Sequence, residues 1–92
     1  MTRLRVAVVG LGIGRAHLEE GYSQLKDLYD VVALCDLDQS RLQEVGDAFG
    51  VSRRITDFAA LLAMPDVDII DICTPPALHL SQCLQALAAG KH

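Results

Sequence analysis

Short apolar runs alternate with amphipathic segments along the 92-residue chain. The run at 31–35 is continuous, and the runs at 3–9 and 67–73 are mostly apolar and rich in β-branched residues, which is typical of strands buried on both faces of a parallel sheet. The segments between them repeat apolar residues every three or four positions, the spacing of one helix face. With a short strand at 53–55, the pattern predicts the order β-α-β-α-β-α-β-α.

Four helices are expected between and after these strands. The second begins near Ser40, with Asp38 as a candidate cap, and ends at Gly50. The third is capped by Thr56 or Asp57 and stops near 65, and the fourth covers about 77–89. The predicted apolar face of the first helix consists of Leu18, Tyr22, Leu25 and Tyr29. That of the last helix consists of Leu80, Leu84 and Leu87.

This alternation predicts an α/β fold, a Rossmann-type doubly wound parallel sheet with strand order 3-2-1-4. The pattern stops after a helix, where a fifth strand would begin. We therefore expect residues 1–92 to be an incomplete N-terminal dinucleotide-binding domain that lacks its substrate domain. The strand at 67–73 would then present an apolar edge, which predicts self-association.

Composition narrows the class of protein. The chain is 51% apolar and 22% charged with a net charge of −4, which argues against disorder, a nucleic-acid partner and an anionic membrane surface. The three cysteines, Cys35, Cys73 and Cys83, lie in apolar segments without a C-x-x-C pair, as expected for reduced thiols of a cytoplasmic protein. The spacing of Cys73, His79 and Cys83 matches no structural zinc pattern, so we predict no metal site.

The segment VVGLGIGRAH carries the first candidate chemistry, because Gly10, Gly12 and Gly14 lie between a strand and a helix. Such a loop lets phosphate approach the backbone, and the helix start offers free N–H groups. Ile13 lies within the loop, and Arg15 could add a contact to the pyrophosphate. The usual G-x-G-x-x-G/A pattern would place its third small residue at Arg15, so a turn kept small for packing remains an alternative.

Asp36 ends the second strand, where an acidic residue can bind the adenosine ribose hydroxyls. A carboxylate there repels the 2′-phosphate of NADP, so the sequence favours NAD, with NADP as the alternative if Arg41 softens the repulsion. An S-adenosylmethionine fold also uses G-x-G-x-G and an acidic strand end. It favours a further acidic residue two positions before the first glycine, where this chain has Val8.

Thr74, Pro75 and Pro76 follow the strand at 67–73, at the sheet edge that also carries the glycine loop. Prolines there can stiffen a wall beside a flat ring, although a strand stop followed by a helix-starting proline explains them equally well. No nucleophile–base arrangement is visible, so no catalytic residue is assigned.

Together, VVGLGIGRAHL, VVALCDLD and DVDIIDICTPPALH…ALAAGKH resemble the Gfo/Idh/MocA family of NAD(P)-dependent oxidoreductases. The resemblance implies a Rossmann domain followed by a larger α/β domain that holds the substrate. It implies hydride transfer between nicotinamide and a hydroxyl carbon of a sugar, polyol or related compound. The implied cofactor-binding residues are Gly10, Gly12, Ile13, Gly14, Arg15, Asp36, Thr74, Pro75, Pro76 and His79.

Family members commonly continue past G-K-H into a Glu-Lys-Pro segment with a catalytic lysine, so we expect these 92 residues to be inactive alone. A non-catalytic nucleotide-binding or redox-sensing module is the alternative function.

Overall fold

The computed structural model describes residues 3–92 as one sheet with helices on both faces. In chain order the elements are β1 (Leu4–Val9), α1 (Leu11–Ala16), β2 (Tyr29–Cys35), α2 (Gln39–Phe49), β3 (Arg54–Ile55), α3 (Phe58–Leu62), β4 (Ile69–Ile72) and α4 (Pro76–Ala88). A π-helical turn over His17–Gly21 and a 3₁₀ turn over Tyr22–Gln24 continue α1.

The four strands are parallel and lie in the order β3-β2-β1-β4, which confirms the predicted Rossmann-type fold. The register of β1 and β2 shifts by one residue after the pair Val6 and Val31, so that Ala7 pairs with Ala33. The carboxyl ends of β1, β2 and β4 therefore meet at one edge of the sheet, where ligands of this fold class bind.

The core has two layers because successive residues of β1 point to opposite faces of the sheet. Val6 and Val8 pack on the side of α1 and α2, with Leu34 of β2. Ala7 and Val9 pack on the other side, with residues of α3, β4 and α4. All five side chains are buried, so this double burial explains the continuous apolar runs of the sequence.

Local capping sets the ends of the second and third helices. Asp38 accepts a hydrogen bond from the Arg41 backbone N–H and caps α2, as predicted. Asp57, rather than Thr56, caps α3 through the Ala59 backbone N–H. Gly50 ends α2 with φ 68°, the left-handed conformation that favours glycine.

The prediction that Leu25 and Tyr29 belong to the apolar face of the first helix was wrong. The helical segment finishes at Gln24, Leu25 is 42% exposed, and Tyr29 begins β2. Because the 3₁₀ turn ends the helical segment at Gln24, the apolar residues that follow no longer share its face. Leu18 stays buried, and Tyr22 packs edge-to-face against Tyr29 from the turn that follows.

The predicted apolar face of α4 is also not buried. Leu80, Leu84 and Leu87 are all more than half exposed, whereas Ala86 is buried against the sheet. This follows from the position of α4 over β4, the outermost strand of the described sheet. The small Ala86 packs into the core on this side of the sheet, and the three leucines stay exposed.

The last two residues close the described chain against this edge. His92 pairs with β4, donating to the Asp68 carbonyl at 3.1 Å and accepting from the Ile70 N–H at 2.8 Å. Lys91 is buried, and its Nζ donates to the carbonyl oxygens of Met64 and Val67. Within residues 3–92, no helix is long and apolar enough to cross a membrane.

Candidate cofactor site

A cleft of about 360 Å³ lies at the carboxyl edge of the sheet. It brings together six of the residues expected from the sequence: Gly10, Gly12, Ile13, Asp36, Thr74 and Pro75. Its remaining lining residues are Leu37, Arg41, Cys73 and Leu78. The ends of β1, β2 and β4 thus supply one continuous surface, although their residues are far apart in sequence.

Gly10 is required by both conformation and space. Its φ is 86°, and a Cβ there would lie 2.8 Å from the carbonyl carbon and oxygen of Cys73. Any side chain would therefore push apart the loops that follow β1 and β4. The backbones at Gly10 and Cys73 therefore approach each other closely, and this approach joins the two sides of the cleft.

Gly14 has a packing role rather than a place in the cleft. It is buried, and a Cβ there would lie 2.7 Å from Cγ1 of Val8 on β1. Close helix–strand packing is the role of the third glycine in dinucleotide loops, so Gly14 fills that role one residue early. Gly12 differs, since a Cβ there would meet only the Arg41 side chain, at 3.6 Å.

The first turn of α1 leaves donors available at the cleft. Asp36 accepts from the Leu11 N–H, and the Gly14 N–H donates to the Gly10 carbonyl. Among the described residues, no acceptor pairs with the N–H groups of Gly12 and Ile13. Unpaired N–H groups at a helix start suit a phosphate.

Asp36 is held rigidly between the glycine loop and α2. One carboxylate oxygen accepts from the Leu11 N–H at 2.9 Å, and the other accepts from the Asp38 N–H at 2.9 Å. Arg41 lies with Nη1 at 3.5 Å from the same carboxylate. The Asp36 side chain is only 10% exposed. Two backbone donors and one guanidinium fix its orientation at the cleft.

Besides Gly14, three residues predicted for the site do not line the cleft. Arg15 pairs with Glu19 at 3.1 Å and Glu44 at 2.9 Å, and these contacts raise its pKa above the ordinary value. Pro76 is the first residue of α4, and His79 is exposed one turn later. Thr74 does line the cleft, and its hydroxyl donates to Gln82 Oε1 of α4.

A polar cluster behind the glycine loop was missed by sequence reasoning. Oδ2 of Asp71 lies 2.7 Å from His17 Nδ1 and accepts from the Tyr22 hydroxyl at 2.8 Å. Oδ1 of Asp71 accepts from the Cys73 thiol at 3.4 Å. The available signal was the i, i+2 spacing of Asp71 and Cys73, which places both side chains on the same face of a strand.

The ionisation of this cluster is dominated by Asp71. Burial favours its neutral form, but hydrogen bonds from His17, Tyr22 and Cys73 outweigh burial and lower its pKa. Burial, together with the Asp71 charge, raises the pKa of Cys73 to about 12 and also raises that of Tyr22. Asp71 is therefore a carboxylate that accepts from the Tyr22 hydroxyl and the Cys73 thiol.

The parallel order β3-β2-β1-β4, with a glycine loop after β1 and Asp36 after β2, defines a dinucleotide-binding Rossmann domain. The family model described as the oxidoreductase family, NAD-binding Rossmann fold, matches residues 4–92, so the chain belongs to the Gfo/Idh/MocA family. The resemblance seen in the sequence is thereby confirmed, and the domain is of the NAD-binding kind.

Individual relatives agree with this assignment. D-apiose dehydrogenase of Paraburkholderia graminis is 38% identical over 96% of the chain, and inositol 2-dehydrogenase of Acidothermus cellulolyticus is 34% identical over 96%. The crystal structure of scyllo-inositol dehydrogenase from Lactobacillus casei, with bound NAD(H) and scyllo-inositol, superposes with a TM-score of 0.89 at 27% identity over 99% of the chain. The chain spans 23%, 26% and 27% of these proteins, respectively.

Proposed function

We propose that this chain is the cofactor-binding part of a two-domain NAD-dependent oxidoreductase that acts on a hydroxyl-bearing substrate. The observation that carries this proposal is the cleft at the carboxyl edge of the sheet. There the glycine loop, Asp36 and the Thr74–Pro75 segment lie together in the order that an extended dinucleotide requires. Bound NAD supplies the hydride chemistry, and this chain positions it.

Each part of the cleft has a separate task in holding the cofactor. The N–H groups of Gly12 and Ile13 would bind the pyrophosphate, helped by the dipole of α1. Asp36 would accept from the adenosine ribose hydroxyls. Thr74 and Pro75 would form the wall beside the nicotinamide end.

Preference for NAD over NADP follows from charge. A 2′-phosphate would have to approach the carboxylate of Asp36, which backbone donors hold in place. Arg41 could attract that phosphate, but its guanidinium already lies at 3.5 Å from Asp36. We propose that the pair Asp36–Arg41 leaves NAD favoured.

The substrate class comes from the relatives. The matched proteins include an apiose dehydrogenase and an inositol dehydrogenase, which supports a sugar, a polyol or a related compound for the whole enzyme. The chain spans about a quarter of their length, so we place the substrate pocket and the proton-transfer group in a second domain. The cysteines are free thiols, which supports a cytoplasmic location.

We also propose that the 92-residue chain self-associates through the outer side of β4. Among residues 3–92, hydrogen bonds with His92 cover the outer edge of β4 only at Asp68 and Ile70. Alternate residues of a strand direct their backbone groups to the same side, so Ile72 continues the uncovered edge. The exposed leucines of α4, the helix that contacts β4, add apolar surface.

Calorimetric titration of the 92-residue chain with NAD, NADP and S-adenosylmethionine tests the proposed cofactor role. We expect NAD to bind with a lower Kd than NADP, and S-adenosylmethionine not to bind. Equal or tighter binding of NADP would refute the preference, and binding of S-adenosylmethionine alone would refute the dinucleotide function. Dehydrogenase assays of the full-length protein with sugars and polyols then test the substrate class.

A further inference from the structure

The three side chains His17, Asp71 and Cys73 form a compact set of potential metal ligands, here named the His17 cluster. His17 Nδ1 lies 2.7 Å from Asp71 Oδ2 and 3.3 Å from Cys73 Sγ, and Cys73 Sγ lies 3.4 Å from Asp71 Oδ1. Imidazole nitrogen, carboxylate oxygen and thiolate sulfur are all ligands that Zn²⁺ accepts. One ligand atom from each residue lies within 4.8 Å of the other two, so the cluster is a candidate site for a transition-metal cation.

The separations are close to those that a tetrahedral ion needs. Metal–ligand distances of about 2.0–2.3 Å imply ligand–ligand separations of about 3.4–3.6 Å. Cys73 Sγ lies 3.3 Å from His17 Nδ1 and 3.4 Å from Asp71 Oδ1, whereas His17 Nδ1 lies closer, at 2.7 Å, to the other carboxylate oxygen, Oδ2. A small rotation of the exposed His17 ring opens that pair without moving the sheet.

Two different elements hold the ligands. Asp71 and Cys73 lie two residues apart at the end of β4, so their side chains share one face of the sheet. His17 is the first residue of the π-helical turn, a local structure that is frequent at functional sites. Tyr22, after the same turn, donates to Asp71 and would orient the carboxylate from outside the ligand set.

The cluster is open to solvent on the His17 side. That side chain is 46% exposed and lines a surface cleft of about 340 Å³ with Glu20 and Leu25. Cys73 is buried below it. A cation therefore has an entry path, and a fourth coordination position remains for water.

We propose that the His17 cluster binds a divalent transition-metal cation of the Zn²⁺ type, through His17 Nδ1, an Asp71 carboxylate oxygen and Cys73 Sγ. On binding, the Cys73 S–H bond breaks, a metal–sulfur bond forms, and the thiol proton leaves to solvent. The proton that His17 Nδ1 donates to Asp71 in the metal-free state is lost to solvent while Nε2 takes one up, so that the Nδ1 lone pair is free to bind the cation. The thiolate and the carboxylate then supply two negative charges to the cation. No step involves NAD, so the inference is independent of the proposed function.

Titration of the 92-residue chain with Co²⁺ tests the site, because a cobalt–thiolate bond gives a near-ultraviolet charge-transfer band and tetrahedral Co²⁺ absorbs strongly in the visible. We expect one Co²⁺ per chain, with both signals, and displacement by Zn²⁺. Cys73→Ser and His17→Gln should each abolish the one-to-one signal. The matched controls Cys83→Ser and His79→Gln change exposed residues outside the cluster and should retain it.

Loss of the signal in Cys83→Ser, its survival in Cys73→Ser, or no stoichiometric binding by the unmodified chain would overturn the proposal. Far-ultraviolet circular dichroism of each variant checks its fold. If a variant fails to fold, alkylation of the unmodified chain still tests the site. Zn²⁺ should slow alkylation of Cys73 but not of Cys83, located by mass spectrometry. Equal alkylation of Cys73 with and without Zn²⁺ would contradict the site.

Discussion

Oδ2 of Asp36 accepts a hydrogen bond of 2.9 Å from the backbone N–H of Leu11, across the start of the glycine loop. The residue that the sequence indicates as the ribose contact thus also anchors the first turn of α1. The conformation of the glycine loop and the charge that we propose to disfavour NADP are therefore coupled through one carboxylate. Substitutions of Asp36 should affect both stability and binding.

Asp36→Ala should weaken NAD binding and reduce the discrimination against NADP, because it removes both the ribose partner and the repulsion of the 2′-phosphate. Loss of a capping carboxylate should also lower the free energy of unfolding by about 1 kcal/mol. Calorimetry and thermal melts measure the two effects. Asp38→Ala is the matched control, since it removes the cap of α2 and should cost similar stability with NAD affinity unchanged. Unchanged NAD affinity in Asp36→Ala would refute the ribose assignment.

Gly14→Ala should destabilise the domain by about 1–3 kcal/mol, because the added methyl group would overlap Cγ1 of buried Val8. Gly21→Ala provides the comparison, since nothing lies within 4 Å of a Cβ there and its φ is −104°. That variant should change stability by less than about 1 kcal/mol, in the stabilising direction. Chemical denaturation measures both. Equal stability of the two variants would show that Gly14 does not pack against β1.

Lys91→Met should destabilise the domain by about 1.5–3 kcal/mol, the range for hydrogen bonds made by a charged group. Lys91 Nζ donates to the carbonyl oxygens of Met64 and Val67 at 2.6 and 2.7 Å, and methionine has no donor for them. Lys26→Met, at an exposed position, should leave the unfolding midpoint nearly unchanged. A midpoint shift as large in Lys26→Met as in Lys91→Met would contradict this role.

The pair of Arg5 with Asp68 predicts a specific acid sensitivity. Hydrogen bonds from the Arg5 side chain and backbone lower the pKa of Asp68 from its ordinary 3.8 to about 2. A carboxyl group with a lowered pKa in the folded state stabilises the fold above pH 3.8, and this stabilisation is lost as the pH falls through about 2. Between these two pH values, the free energy of unfolding should depend less on pH in Asp68→Asn and in Arg5→Met than in the unmodified chain. A wild-type slope in Asp68→Asn would disprove the contribution.

Leu84→Lys should reduce self-association of the 92-residue chain, because the leucine is 58% exposed on α4, the helix that contacts β4. The substitution should leave the stability of the monomer nearly unchanged, because the side chain is mostly exposed. Leu25→Lys alters a 42% exposed leucine at the end of the first helical segment and should leave association as in the unmodified chain. Sedimentation velocity measures this, and a monodisperse unmodified monomer would refute the association itself.

Much of the fold was predictable because it is encoded locally. Continuous apolar runs mark strands buried on both sides, and Asp38 and Gly50 mark the ends of α2 by capping chemistry. The alternation of strands and helices restricts the sheet to very few topologies, so the order 3-2-1-4 followed from the sequence alone. Strand ends are also encoded locally. Gly10 and Asp36 could therefore be predicted to lie at one edge of the sheet, since the carboxyl ends of parallel strands meet there.

Only the tertiary structure decided which side chains meet across the fold. The contacts of His17 with Asp71 and Cys73 join residues 54 and 56 positions apart, and no periodicity carries that information. Gly14 could be identified as a packing glycine only once Val8 lay 2.7 Å from its missing Cβ. The exposure of Leu84 likewise depends on where α4 lies over β4. Sequence periodicity sets which elements form, whereas long-range packing sets which faces are covered and which polar groups are brought together.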